Sequence, residues 1–329
     1  MVVYPTSKIL IFRGKKMLIP KKILTVSSAN MDFVMSVSGI PQGGETQLEN
    51  GSYAFVPGGK GANSAVAVRR LGGDSVFCCR LGKDANGSIL ANIYKKEGLD
   101  TRFITVDTTA VTGLATIMVE PSGQNRIIIY PGANARMTND DIEASFISRP
   151  DALLMQLEIP VDAVMHAAWT AQEKNIPIIL DAGPANPDFP LEDLPPLEIF
   201  SPNETETEIF TGINPSNPTN CLRAAMELQR KVIAKYYVIK LGDRGCYIYD
   251  GKYYHCLPAY SMNAVDTTAA GDAFTAALTL EYLRSGDIVR AGTYANIVGA
   301  LAVSKKGALP SLPTDAMVAK FIAEKAIRL

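Results

Sequence analysis

This chain's sequence predicts a Rossmann-like α/β fold: a doubly wound, mostly parallel sheet with a small β-sheet lid. Three observations lead there. From Lys21 onward, apolar runs of strand length alternate with helix-length segments; polar residues stand just after several of those runs; and two stretches break the rhythm. The clearest strands are Lys22 to Val26, Ala152 to Leu157, Pro177 to Leu180 and Tyr236 to Ile239. Helical stretches include Ser64 to Leu71, Ala163 to Lys174, Asn220 to Lys235 and Thr275 to Arg284. That alternation calls for a mostly parallel sheet covered by helices on both faces, in which ligands gather outside the strand carboxyl ends. Asn30, Asp32, Glu158, Asp181, Asn203 and Gly242 all follow strands and therefore share one edge.

At 329 residues the chain exceeds the usual single-domain size, so a large core with an appendage is expected. The core comprises residues 21–32, 58–100 and 131–329. The appendage comprises 33–57 and 101–130, where the turn Glu120 to Gln124 reads as a hairpin loop. Exposed strand edges on such a lid invite pairing with a second copy, so a homodimer is expected. Residues 1–20 form an extension: the first 22 residues hold six basic side chains and no acid, and their apolar runs are too short to span a bilayer.

Composition removes several function classes. Apolar residues make up 47% and charged residues 20%, with a net charge of −1, so no strong field recruits nucleic acid or an anionic membrane. Five cysteines without a Cys-x-x-Cys pair fit a reducing, cytoplasmic setting. The final Ile327-Arg328-Leu329 resembles a peroxisome-type signal but lacks its small first residue. Two histidines are too few for a zinc cluster or a serine triad. Trp169, Met155, Tyr236 and Tyr237 sit in apolar stretches and read as packing.

The most informative segment is Val265 to Phe274, Val-Asp-Thr-Thr-Ala-Ala-Gly-Asp-Ala-Phe, which runs into a helix. A small-residue turn at a helix start leaves backbone N–H groups unpaired, a site for an anion such as a transferring phosphoryl group. Asp272 would stand beside it and could orient a hydroxyl and take its proton. The plainer alternative is a helix start capped by Asp266 or Thr268. Gly58-Gly59-Lys60-Gly61-Ala62-Asn63 precedes another helix, so its backbone can approach a ligand while Lys60 and Asn63 donate to oxygens. It is neither a Walker A loop nor a dinucleotide fingerprint; a simple helix-start turn is its alternative. Asn203 and Glu206, three apart, either hold a hydrated magnesium ion and a phosphate or form a capping box. Lys240 to Gly245 suits a loop under a nucleotide's phosphates or ribose.

Taken jointly, Asn30 to Asp32, Gly58 to Asn63, Gln156 to Glu158, Pro202 to Glu206, Lys240 to Gly245, Asp266 to Asp272 and Lys306 to Ser311 resemble the ribokinase-type carbohydrate kinase family, in order and spacing. The resemblance implies an α/β core with a β lid, ATP-dependent phosphorylation of the 5-hydroxyl of D-ribose, Mg2+ and activation by K+. By motif it implies Asp272 as the base and Ala269, Ala270 and Gly271 as the anion hole. Sugar contacts would come from Asn30, Asp32, Gly58, Gly59, Lys60, Asn63 and Glu158. Asn203, Glu206, Lys240, Gly242, Asp243, Gly245 and Asn296 would meet nucleotide or magnesium. Asp266, Thr268, Ala302, Gly307 and Ser311 would form the monovalent-cation loop. Two carboxylates at Asp32 and Glu158 favour a neutral polyol over a phosphorylated sugar, and Glu158 is an awkward wall for a purine nucleoside. Deoxyribose, fructose or adenosine as acceptors, and a non-catalytic sugar-sensing module, are the competing readings. Departures from the family pattern are Ser27 for a common glycine, Lys240 for a frequent threonine, and the basic N-terminal extension.

Overall fold

The computed structural model describes residues 20–122 and 124–329 and, within the first nineteen, only the strand pair β1 (Ile11–Phe12) and β2 (Lys15–Lys16). The rest of the expected N-terminal extension lies outside the described residues. The first half then contains β3 (Lys22–Val26), β4 (Asn30–Ser36), β5 (Tyr53–Gly58), α1 (Lys60–Arg70), β6 (Asp74–Gly82), α2 (Ala85–Lys96), β7 (Ile104–Asp107), β8 (Gly113–Val119), β9 (Asn125–Tyr130) and α3 (Asn139–Ser145). The second half begins with β10 (Ala152–Met155), α4 (Val161–Glu173), β11 (Ile178–Asp181), β12 (Leu197–Ser201), α5 (Glu204–Thr211) and α6 (Pro218–Lys231). It ends with β13 (Ala234–Lys240), β14 (Cys246–Tyr249), β15 (Tyr254–Leu257), α7 (Ala270–Ser285), α8 (Ile288–Ala302), α9 (Ala308–Ser311) and α10 (Asp315–Glu324).

Among the described residues, one nine-stranded sheet runs β15-β14-β13-β12-β11-β10-β3-β6-β7. From β13 to β7 every pairing is parallel; β14 and β15 add an antiparallel edge. The central strands Ala152–Met155 and Lys22–Val26 are almost wholly apolar because helices bury both faces. One core cluster joins α1, α7 and α8 to the sheet, and the other joins α3, α4 and α6. The chain leaves β3 toward β6 on one side and returns beside β3 with β10 on the other. A crevice opens at that reversal, at the strand carboxyl ends.

The lid is a four-stranded sheet, β5-β4-β8-β9. Its central pair, β4 with β8, is parallel, and its outer pairs are antiparallel. Asn30 and Asp32 on β4 and Gly58 on β5 are base residues of this lid rather than core loop residues. The stretch 101–130 does not leave the core as a unit. Ile104–Asp107 pairs parallel with β6, because its apolar alternation satisfies the open edge of the main sheet. The expected helix Asn220 to Lys235 stops at Lys231, since the β-formers Tyr236 to Ile239 draw Ala234 and Lys235 into β13. Trp169 is 49% exposed and its indole N–H donates to Asp193 O at 3.2 Å, so it is not core packing.

The entry to α1 shows why small residues are needed beside the crevice. Gly59 has φ 89°, and a Cβ there would stand 2.8 Å from Asn30 N. A Cβ at Gly61 would collide with Ser27 Cβ and lie 2.7 Å from Ser28 O. Ser27 Oγ is itself buried without a partner. Gly61→Ala should therefore cost about 1–3 kcal/mol by overpacking, and Ser27→Gly should recover much of that loss in the double variant, a coupling readable in urea unfolding.

Candidate active site

Helix α7 begins at Ala270 with Ala269 as its N-cap, in the left-handed region at φ 63° and with no side-chain cap. The expected capping by Asp266 is a separate event. Asp266 Oδ1 accepts from Thr268 N at 2.9 Å and Thr268 Oγ1 at 2.6 Å, and Oδ2 accepts from Gly307 N at 2.8 Å. Burial tends to raise the Asp266 pKa, but these donors outweigh it and leave the carboxyl below its ordinary value. Asp266 therefore ties the turn to the Gly307 loop and leaves the helix start open. Ala270 N–H already donates to Thr267 O at 3.2 Å, so the open amides are those of Ala269, Gly271 and Asp272 rather than the continuous run 269–271. Uncapped amides at the positive end of a helix form an anion site.

Asp272 lies beside those amides, 5% exposed. Asn63 Nδ2 donates to its Oδ2 at 2.8 Å, and Lys60 Nζ is 3.9 Å from its Oδ1. Burial lifts the Asp272 pKa to about 6, against the opposing pull of Lys60. Asp272 in turn is the main reason that Lys60 is raised. Residues 209 positions apart thus meet because α1 and α7 pack side by side through alanine-rich faces. Asn63 Oδ1 is buried and unpartnered.

The lid base supplies the opposite wall. Asp32 is 8% exposed, and burial first, then Glu158 and Asp272, raises its pKa to about 7, with no hydrogen bond offsetting them. Its carboxylate lies against the Cα of Gly58, where a Cβ would come within 2.5 Å of Oδ1. Glu158 accepts from Ser28 Oγ and, at 3.0 Å, from Lys60 N. Asn30 is buried and oriented by Asn134, whose Nδ2 donates to Asn30 Oδ1 at 2.7 Å and whose Oδ1 accepts from Ala29 N at 3.0 Å. Ser28 and Asn134 carried no motif signal, so sequence reasoning did not single them out. Lys60 and Asn63 touch the Asp272 carboxylate, Glu158 accepts from the Lys60 backbone, and Asp32 feels the charges of both Glu158 and Asp272, so these expected sugar-side residues stand close together.

On the other side, Asn203 and Glu206 do form a capping box: Glu206 N donates to Asn203 Oδ1 at 2.8 Å and Asn203 N to Glu206 Oε2 at 2.7 Å. The second Glu206 oxygen lies against Gly183, close to the Lys60 side chain. Burial raises the Glu206 pKa despite the opposing Lys240 charge. Lys240 is buried and paired with Asp181, its Nζ 2.5 Å from Oδ1. Gly242 and Gly245, both of positive φ, bracket a short turn that leaves Asp243 exposed. Asn296 donates to the carbonyls of Leu257 and Pro258, each at 3.2 Å, so its amide holds the end of β15. Ala302 ends α8 and accepts from Lys305 N, and Ser311 ends α9 and donates through Oγ to Ala308 O, so the two flank the Gly307 segment that Asp266 anchors.

Residues 20–315 match the pfkB family carbohydrate kinases. The chain is 35% identical over 305 residues to the ribokinase of Haemophilus influenzae, covering 92% of this chain and 99% of that one. It is 36% identical over 297 residues to the bifunctional ribokinase/ribose-5-phosphate isomerase A of Fructilactobacillus sanfranciscensis, covering 89% of this chain and 55% of that longer protein. The structure of Arabidopsis thaliana ribokinase complexed with ribose and ATP superposes with a TM-score of 0.84 at 30% identity, over 92% of this chain and 99% of that one. No helix among the described residues is long and apolar enough to cross a membrane.

The raised Asp32 value carries a stability consequence. A carboxyl whose folded value, about 7, lies above its ordinary 3.8 favours the folded protein while protonated, and that advantage fades as pH rises through about 7. Asp32→Asn should therefore raise the Tm by roughly 2–4 °C at pH 8 and by much less at pH 5. Equal shifts at the two pH values in differential scanning calorimetry would contradict this origin.

Proposed function

The chain belongs to the pfkB family of carbohydrate kinases, and from that premise we propose that it phosphorylates the 5-hydroxyl of D-ribose with ATP, giving D-ribose 5-phosphate and ADP. The observation that carries this reading is the buried Asp272, held between Asn63 and Lys60 at an uncapped helix start. Sequence kinship over nine-tenths of the chain with ribokinases supports the substrate pair.

In the reaction, the sugar's O5–H points at Asp272, and the O5–phosphorus bond forms as the bond between the γ-phosphorus and the β–γ bridging oxygen breaks. The O5 proton passes to Asp272. A carboxylate is a weak base for an alcohol, but a loose phosphoryl-transfer transition state asks mainly for alignment and charge stabilisation. The amides of Ala269, Gly271 and Asp272 face the charge on the phosphoryl oxygens and supply that stabilisation without reorganisation. Asn30, Asp32, Lys60, Asn63 and Glu158 hold the remaining sugar hydroxyls. Two carboxylates accept several such bonds and disfavour an acceptor that already carries phosphate.

The nucleotide lies along Gly242, Asp243 and Gly245, with its far end near Asn296. Glu206, with Asn203, offers oxygen donors of the kind that hold a hydrated magnesium ion beside phosphates, and that ion supplies positive charge to the nucleotide. A potassium ion would be held by the turn of Asp266, Thr268, Ala302, Gly307 and Ser311 through their backbone carbonyls, which are hard oxygen donors. Held there, it would stiffen the turn that presents the open amides. Free cysteines and soluble reactants support a cytoplasmic setting. The lid's uncovered Tyr53, Phe55, Ile128 and Tyr130, all more than half exposed, support pairing with a second copy.

Two experiments test this reading. Coupled ADP release should be fastest with ribose in a panel of ribose, deoxyribose, fructose and adenosine, and faster in potassium than in sodium or tetramethylammonium salts. Asp272→Asn should lower kcat by about 10²-fold or more while leaving ribose binding intact; unchanged turnover would reject the role of Asp272. For the lid, light scattering should give twice the chain mass, and Phe55→Asp with Ile128→Asp should reduce it to that of one chain.

A further inference from the structure

Asp181 ends β11 and Lys240 ends β13, two parallel strands separated by β12, so both side chains emerge at the crevice. Their ion pair is nearly closed to solvent: the Lys240 side chain is 10% and the Asp181 side chain 3% exposed. Thr275, one turn into α7, completes the group. Its Oγ1 donates to Asp181 Oδ2 at 2.6 Å and lies 3.5 Å from Lys240 Nζ. Asp181 thus receives one donor on each oxygen. The ammonium keeps a donor to spare, because three donors face only two protein acceptors.

Lys240 also stands beside one of the open amides at the start of α7. Lys240 Nζ is the nearest heavy atom to the place a Cβ on Gly271 would take, at 3.9 Å, whereas Lys60 Nζ stands beside Asp272 on the sugar side. Around this crevice Asp32, Glu158, Asp181, Glu206 and Asp272 bring five carboxyl groups against the two lysines. So acidic a pocket repels a nucleotide's phosphates unless a cation is fixed where they enter.

We propose that Lys240 is a catalytic residue that contacts the phosphate chain from the leaving-group side, and that Asp181, with Thr275, is the positioning residue that aims it. The assignment rests on the phosphoryl-transfer reading and extends it. The lysine opposes the negative charge that gathers on the β–γ bridging oxygen as ADP departs, while the α7 amides serve the transferring phosphoryl group and Lys60 the acceptor side. The buried pair is thereby explained by use rather than by stability, since a buried ion pair is in general a weak source of stability.

The test is the double variant Asp181→Asn with Lys240→Thr, which removes both charges and leaves no buried ion unpaired. Calorimetric titration with ADP and with adenosine separates the phosphate-dependent affinity from the base-dependent part. The expected result is a loss of roughly 10- to 100-fold in ADP affinity, with adenosine affinity and ribose KM unchanged and kcat lowered. Lys240→Arg should retain more ADP affinity than the double variant. Equal ADP affinity and kcat in double variant and wild type would overturn the assignment. If the double variant fails to fold, the isosteric Asp181→Asn alone decides: lowered kcat with wild-type ribose KM supports the aiming role, and wild-type kcat overturns it. A wild-type protein that bound ADP yet phosphorylated no sugar would sink the kinase reading, and the ADP affinity ratio would still decide this one.

Discussion

The meeting of Asp272 with Asn63 and Lys60 at the open start of α7 is the interaction from which the rest of the site takes its form. It requires α1 and α7 to lie close enough for side chains 209 positions apart to bond, which the alanines on both helices permit. It also requires that α7 begin without a side-chain cap, so that amide donors stay open toward the crevice. Asp266 serves that second requirement indirectly. By spending its carboxylate on Thr268 and Gly307, it braces the turn from behind and leaves the front free.

Charge sets the second constraint. The crevice collects carboxyl groups from the lid base, two strand ends and two helix starts, and burial raises several of them. Such crowding is costly in an empty protein, and it is compatible with folding because Asp32 and Asp272 can hold protons there and because the lysines are interleaved. A polyol hydroxyl donated to Asp32, or phosphates facing Lys240, would relieve the same imbalance. The lid adds a wall rather than a separate machine. Its base strands carry Asn30, Asp32 and Gly58, so movement of the sheet would move these residues with it.

The order and spacing of short motifs in the chain suffice to read the α/β class, the chemistry, the helix start at Asp272 and the glycine turn at 58–61, because each is a local device whose backbone demand shows in the residues themselves. Three things were not local. The alternation of β7 marks it as a strand, but only the open edge beside β6 assigns it to the main sheet rather than the lid. The choice of which amides stay open depended on one turn bond, from Ala270 to Thr267, that any small-residue segment could make or omit. The pairing of Asp181 with Lys240 joins strand ends 59 positions apart, and the orientation of Asn30 by Asn134 joins positions 104 apart. Sequence alone determined which groups stand at the sheet's carboxyl edge, since strand periodicity carries that information. Only the packed sheet decided which of them face each other and which share a charge, because those distances come from strand order, and strand order is set by burial across the whole core.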